Sequence, residues 1–250
     1  MDHTRIYKDK VEIDEKSVAE FYNRRAEGSR KEQGTTEDGA VLLGSQDAGV
    51  LAAKAQYESD YIMPMLGIDS KTRVLDLGCG LGRWAQYVMP HCGFYCGVDA
   101  SEKMIELARN NCSRLGTHFR LQAMTISDAV GQTSAFWGGP FDLVITSGVM
   151  MYLNDDTLTS FFQQLPQHLA EHCTLHFADP VGTKERLTLN RHVSEALSST
   201  YSAIYRTVDE YLDFLAPLRE LGFSVVKSEQ EPRFGETYTD THRHYFILRR

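Results

Sequence analysis

With 250 residues, 26 basic and 34 acidic side chains and a formal net charge of −8, the chain is long enough for one large α/β domain or a core with a small cap. The acidic balance argues against a broad electrostatic footprint on a polyanion. No apolar run approaches the ~20 residues that span a bilayer, the start Met1-Asp2-His3-Thr4-Arg5 lacks a signal-peptide stretch, and five cysteines without framework spacing fit reduced thiols of a cytosolic protein.

Residues 1–28 are charged and helix-permissive. Asp14 is placed to cap a helix through Val18, Phe21 and Tyr22, an i, i+3, i+4 stripe. Gly28, Gly34, Gly39, Gly44 and Gly49 among polar residues read as a mobile loop or lid. A helical pattern over about 50–66 presents Leu51, Ala55, Tyr61, Ile62 and Leu66. Residues 1–66 are therefore expected to form an N-terminal helical cap and lid, and 67–250 the core. Within the core, strands are predicted near 73–77, 94–98, 119–123, 141–146 and 174–178. Helices fall at 84–89, at 101–114 with Ser101 as N-cap, and at 156–170. Residues 182–210, polar and helix-prone, read as a helical insertion. A helix over 208–221 ends at Gly222, and strands at 223–229 and 244–248 close the chain. Strands alternating with helices imply a parallel sheet with helices on both faces.

The densest signal is Asp76-Leu77-Gly78-Cys79-Gly80-Leu81-Gly82-Arg83, answered by Val98-Asp99-Ala100. Glycines leave no side chain between a strand-end turn and a ligand. Asp99 falls 21 residues after Gly78, near the ~20-residue offset at which a carboxylate meets ribose hydroxyls. A dinucleotide fingerprint wants Gly or Ala at the sixth position of G-x-G-x-x-G, where this chain has Arg83, so NAD is disfavoured. The carboxylate of Asp76, two residues before the first glycine, suits a cationic ligand.

This segment resembles the glycine-rich first motif of the class I S-adenosylmethionine (SAM)-dependent methyltransferases. Asp99 resembles the acidic residue ending their second strand. Phe141-Asp142-Leu143-Val144-Ile145-Thr146-Ser147, continued to Leu153, resembles their fourth strand and following loop. The likeness covers about residues 57–180. It implies a Rossmann-like fold: a seven-stranded, mostly parallel sheet with an antiparallel last strand. It further implies SAM as cofactor, with S-adenosylhomocysteine (SAH) as product. Asp76, Gly78 and Gly80 would meet the methionine and ribose, and Asp99 the ribose hydroxyls. Ala100 and Met104 would wall the adenine, Met104 being equally suited to the core. Met124 and Thr125 follow the third strand, where the family places an adenine contact. Ser147 and Tyr152 would lie over the methionine, and Tyr152 either orients the acceptor or packs. In related small-molecule enzymes an N-terminal helix closes over the sulfonium, often with a tyrosine. Tyr22 is then a catalytic candidate, and Arg25 could grip an anionic substrate group.

Acceptor-side candidates are Asp179, His192, Tyr201, Tyr205 and Arg206. Asp179 directly follows the fifth strand, and His192 is a candidate base. His168-x-x-x-His172 and Cys92-x-x-x-Cys96 lack the full ligand set of a structural metal site, and His168 is expected at an exposed helix end. The expected activity is methyl transfer to oxygen or nitrogen of a small molecule: a natural product, a saccharide, or an amine or acid metabolite. Alternatives are a non-catalytic SAM-binding sensor or scaffold, and a methyltransferase acting on RNA or protein. The absence of an Asn-Pro-Pro-Tyr type segment after the fourth strand disfavours DNA bases. Oligomeric state is not legible.

Overall fold

A computed structural model of the chain describes residues 6–29, 47–194, 199–235 and 238–250. The glycine-rich stretch read as a lid lies mostly outside the described residues.

The chain opens with a two-residue strand, β1 (Ile6–Tyr7), and α1 (Glu15–Ser29). Asp14 starts α1 as its spacing suggests, its carboxylate accepting the Lys16 N–H at 3.1 Å. Next comes α2 (Ala48–Tyr57), capped by Asp47, and the chain continues through a π turn at Glu58–Ile62 and a 3-10 turn at Met63–Met65. The alternating core follows: β2 (Arg73–Leu77), α3 (Ala85–Val88), β3 (Phe94–Asp99), α4 (Glu102–Ser113), β4 (Phe119–Ala123), α5 (Ile126–Gly131), β5 (Phe141–Ser147), α6 (Asp155–Gln164) and β6 (Leu169–Gly182). After a hairpin of β7 (Leu187–Ser194) and β8 (Ser199–Tyr205) come α7 (Val208–Phe214), α8 (Ala216–Glu220), β9 (Ser224–Gln230) and β10 (Thr241–Arg249).

The central sheet has the order β4-β3-β2-β5-β6-β10-β9, with β10 antiparallel to both neighbours. Its inner strands are buried on both faces, as their near-continuous apolar runs require. Ile126, Ala129, Leu158, Phe161, Tyr211 and Leu218 belong to one core, while Ile62, Ala85, Val88, Ile105 and Ala108 belong to the other. Strand order reverses at β2, so a crevice opens between the carboxyl ends of β2, β3 and β5.

In place of the expected helical insertion, the described residues 187–194 and 199–205 form strands. β7 and β8 pair antiparallel, and β1 adds a third strand. Thr188, Thr200, Tyr201, Ile204 and Tyr205 are β-branched or aromatic and suit a pleated surface. Burial of Thr188, Tyr201, Ala203 and Ile204 against the core supplies the driving force that the polar composition conceals. Smaller differences have local causes. Pro217 interrupts the expected 208–221 helix, dividing it into α7 and α8. α6 ends at Gln164, before a 3-10 turn that contains Pro166. His168 is buried rather than at an exposed helix end, its Nε2 lying 2.9 Å from the Val130 carbonyl oxygen. Among the described residues no helix is long and apolar enough to cross a membrane.

Gly97 lets β2, β3 and β4 close up beneath the glycine loop. A Cβ there would lie 2.7 Å from Leu121 Cδ2 and 2.9 Å from Cys79 Sγ. Gly97→Ala is expected to cost about 1–3 kcal/mol by overpacking, seen as a lower urea midpoint at unchanged slope.

Candidate active site

The end of β3 organises the crevice. The Val98 carbonyl accepts the N–H groups of Gly78, at 2.7 Å, and Cys79, at 2.9 Å. The Asp99 carboxylate accepts the Gly80 N–H at 2.9 Å and the Ser101 N–H at 2.8 Å. Burial pushes the Asp99 pKa above the usual carboxylate range, opposed by these two bonds. Ser101 caps α4 as predicted, accepting the Met104 N–H at 3.1 Å. Gly78 has φ +77, and a Cβ there would sit 2.2 Å from Val149 Cγ2. The loop is thus a cradle that only glycine leaves open.

Of the ten residues predicted for the cofactor, eight line this crevice: Gly78, Gly80, Asp99, Ala100, Met104, Thr125, Ser147 and Tyr152. Asp76 does not. It is buried within the sheet, where its Oδ2 accepts the Tyr95 hydroxyl at 2.7 Å, and burial raises its pKa to about 7. Met124 also lies off the crevice wall. Its side chain packs against the core, and its backbone N–H binds the Asp99 carbonyl at 2.9 Å.

The facing wall is α1, through Glu15, Val18, Ala19 and Tyr22. Asn23 docks the helix, its Oδ1 accepting the Ser101 hydroxyl at 2.7 Å and the Lys103 N–H at 3.2 Å. Ala26 packs against Leu81, Met104 and Leu107. The Tyr22 hydroxyl meets that of Tyr152 at 2.7 Å; Tyr152 meets Tyr201 at 3.2 Å, and Tyr205 meets Tyr201 at 3.3 Å. Burial raises the Tyr22 phenol to about 12 and Tyr152 and Tyr201 well above their ordinary value, so all three are neutral.

The remaining predicted residues stand behind the crevice rather than in it. Asp179 accepts the Met150 and Met151 N–H groups at 3.3 and 3.4 Å, and burial raises it to about 7. Arg206 is fully buried and donates to the Met150 and Leu153 carbonyls at 3.1 and 2.6 Å and to Asp155 at 2.6 Å. Together they clamp the turn that carries Tyr152. Tyr201 supports Tyr152 from behind. His192 lies on β7 opposite Tyr201, and the Arg25 guanidinium sits 5.6 Å from the Phe21 ring centre; neither lines the crevice. A strand-end position fixes which end of the sheet a residue reaches, but not the neighbour its side chain finds.

Glu15, Arg83 and Arg243 line the crevice without having been singled out for it. Arg83 Nη2 donates to Ser147 Oγ at 3.3 Å and Arg243 Nη2 to the same oxygen at 3.5 Å. Arg83 also pairs with Glu58, and Arg243 with Glu231 at 3.0 Å. The position of Arg83, next to Gly82, could have marked it from sequence; nothing local marks Arg243. The crevice thus joins a backbone cradle, the half-buried carboxylates of Glu15 and Asp99, two guanidiniums and two neutral phenols. Among the described residues no group of three or more His, Cys, Asp or Glu side chains is disposed to hold a metal.

Residues 74–172 match the family model described as a methyltransferase domain. The chain is 26% identical over 218 residues to alpha N-terminal protein methyltransferase 1 of Drosophila melanogaster, covering 86% of this chain and 72% of that protein. It is 27% identical over 154 residues to the ubiquinone biosynthesis O-methyltransferase of Sinorhizobium fredii, covering 59% of this chain and 56% of the relative. Magnesium protoporphyrin IX methyltransferase from Synechocystis has a similar fold, with a TM-score of 0.64, 18% identity and coverage of 97% of this chain and 99% of that one. The matched segment, the strand order and the glycine cradle make the chain similar to SAM-dependent methyltransferases.

Two outcomes test this account of the buried groups. Asp76 has a raised pKa in the fold, so its contribution to stability is fully present below about pH 4 and is lost as pH rises toward 7. Asp76→Asn is expected to remove that loss, so its unfolding free energy rises relative to wild type between pH 4.5 and 7.5 in urea titrations. Arg206→Ala removes the guanidinium from the Met150 and Leu153 carbonyls and from Asp155, and is expected to cost about 3–5 kcal/mol, measured by the same titrations at pH 7.

Proposed function

We propose that the chain transfers a methyl group from SAM to an oxygen or nitrogen of a small-molecule acceptor held beneath α1. The observation that carries this reading is one continuous crevice. It runs from the Asp99 carboxylate past the glycine cradle to the Tyr22–Tyr152 hydroxyl pair, with α1 as its roof.

When bound, SAM supplies an electrophilic methyl group on a sulfonium. Asp99 is suited to accept hydrogen bonds from the ribose hydroxyls, and Gly78 and Gly80 admit the ligand close to backbone. Met104 and Ile126 offer apolar walls for the adenine. Arg83, on the glycine loop itself, is placed for the methionine carboxylate. Tyr22 and Tyr152, neutral at physiological pH, orient the acceptor by hydrogen bonds rather than remove its proton. The α1 roof keeps water from the reacting atoms, so catalysis rests on proximity and orientation. The roof lies directly on the crevice, which favours a small acceptor.

A second reading is transfer to the terminal amine of a protein. It is favoured by the length of the match, 86% of this chain, to the relative named for that activity.

The test is a calorimetric titration with SAH, followed by labelled-methyl transfer from SAM to separate panels of small alcohols, amines and acids and of short peptides. Micromolar SAH affinity with product from the small molecules is expected. Product from peptides alone would move the assignment to the second reading, and binding without product from either panel would point to a sensor. Asp99→Ala is expected to weaken SAH by about 10- to 100-fold, the loss of a charge-assisted contact worth ~1.5–3 kcal/mol. Tyr152→Phe is expected to lower kcat while leaving the SAH Kd within about twofold, since Tyr152 orients the acceptor by its hydroxyl alone.

A further inference from the structure

Arg243 stands on the last strand, far in sequence from the glycine loop, yet its guanidinium lines the crevice. Arg83 and Arg243 each place Nη2 within 3.5 Å of one oxygen, Ser147 Oγ, so the two nitrogens lie no more than about 7 Å apart. That is within reach of a single carboxylate taking a charge-assisted bond of about 2.8 Å on each oxygen. Both side chains are nearly buried, with relative exposures of 10% and 14%.

Behind them lies a frame of buried charge. Glu58 pairs with Arg83 and Glu231 with Arg243, and Lys54 lies between, 3.9 Å from Glu58 and 3.4 Å from Glu231. Ionised, these five groups set three cations against two carboxylates. Burial, and then Arg243, lower the Lys54 pKa. Glu231 is held near 2 against burial, chiefly by Arg243. Asp179 also faces Arg243, but burial raises it to about 7, and Arg206 lies against the same turn. The two guanidiniums that meet at the crevice face suit one monoanion.

We propose that Arg243 is a second cofactor-binding residue. With Arg83 it forms a two-guanidinium clamp on the carboxylate of the cofactor's methionine portion, and Lys54, Glu58 and Glu231 hold the clamp in place. This rests on the SAM reading above and deepens it. The clamp makes the site read the amino-acid end of its ligand, so a nucleoside thioether without that end is a poor competitor.

The experiment is calorimetry of the full chain with SAH and with 5′-methylthioadenosine, which keeps the adenosine and the sulfur but lacks the amino acid. Arg243→Ala is expected to weaken SAH by about 10- to 100-fold and to leave 5′-methylthioadenosine within about twofold of wild type. Arg243→Lys keeps the charge against Glu231, and with it the fold, but loses the planar fork. It is expected to weaken SAH several-fold with an unchanged Tm, and it decides the matter if the alanine variant does not fold. SAH affinity equal to wild type in the variants would overturn the proposal and assign Arg243 to the acceptor. Parallel loss of both ligands would overturn it in favour of a merely structural role. A wild-type chain that binds neither ligand would instead overturn the SAM reading beneath it.

Discussion

Two consecutive residues at the end of β3 hold the site together. The Val98 carbonyl takes the first two N–H groups of the glycine loop, and the Asp99 carboxylate takes the next glycine N–H on one oxygen and the start of α4 on the other. The loop is thereby tied to the neighbouring strand, and its positive-φ glycines keep the space above it open. Everything else is built onto this junction. Ser101 caps α4 and binds Asn23, which sets α1 across the crevice and brings Tyr22 to Tyr152. A break at Asp99 would loosen the floor and the roof together.

The distribution of charge separates binding from chemistry. At the Ser147 end, guanidiniums are locked against buried glutamates, a rigid arrangement suited to holding an anion. At the α1 end, burial keeps the phenols neutral, an arrangement suited to orienting an acceptor without adding charge beside a sulfonium. The carboxylic acids whose pKa values approach neutrality, Asp76 and Asp179, face inward. One is bonded to Tyr95 inside the sheet, and the other holds the turn of Tyr152 from below. Their perturbation reflects burial in the scaffold, which is why a raised pKa alone does not identify a proton-transfer group.

Much of the architecture is legible from periodicity and spacing. The strands at 73–77 and 119–123 form at the expected bounds, Ser101 caps α4, and Gly78, Gly80 and Asp99 meet at one crevice, because strand-end turns and caps are local in sequence. The hairpin of β7 and β8 is hidden because its polar residues mask the alternation, and because burial against the Tyr152 turn, a tertiary effect, decides its form. Asp179 reads as a pocket residue because it follows a strand end, and Arg206 because it falls in the polar inserted segment. Their side chains turn to the backbone of residues 150–153, a neighbour no spacing reveals. Arg243 is invisible for the opposite reason: its partners, Glu231 and Ser147, are assembled by the antiparallel last strand.

The most direct measurement is the crystal structure of the chain with SAH. The account predicts the ribose hydroxyls on Asp99, the adenine between Met104 and Ile126, and the sulfur beneath Tyr22 and Tyr152. SAH bound away from Asp99, or bound there with its sulfur turned from the Tyr22–Tyr152 pair, would contradict it.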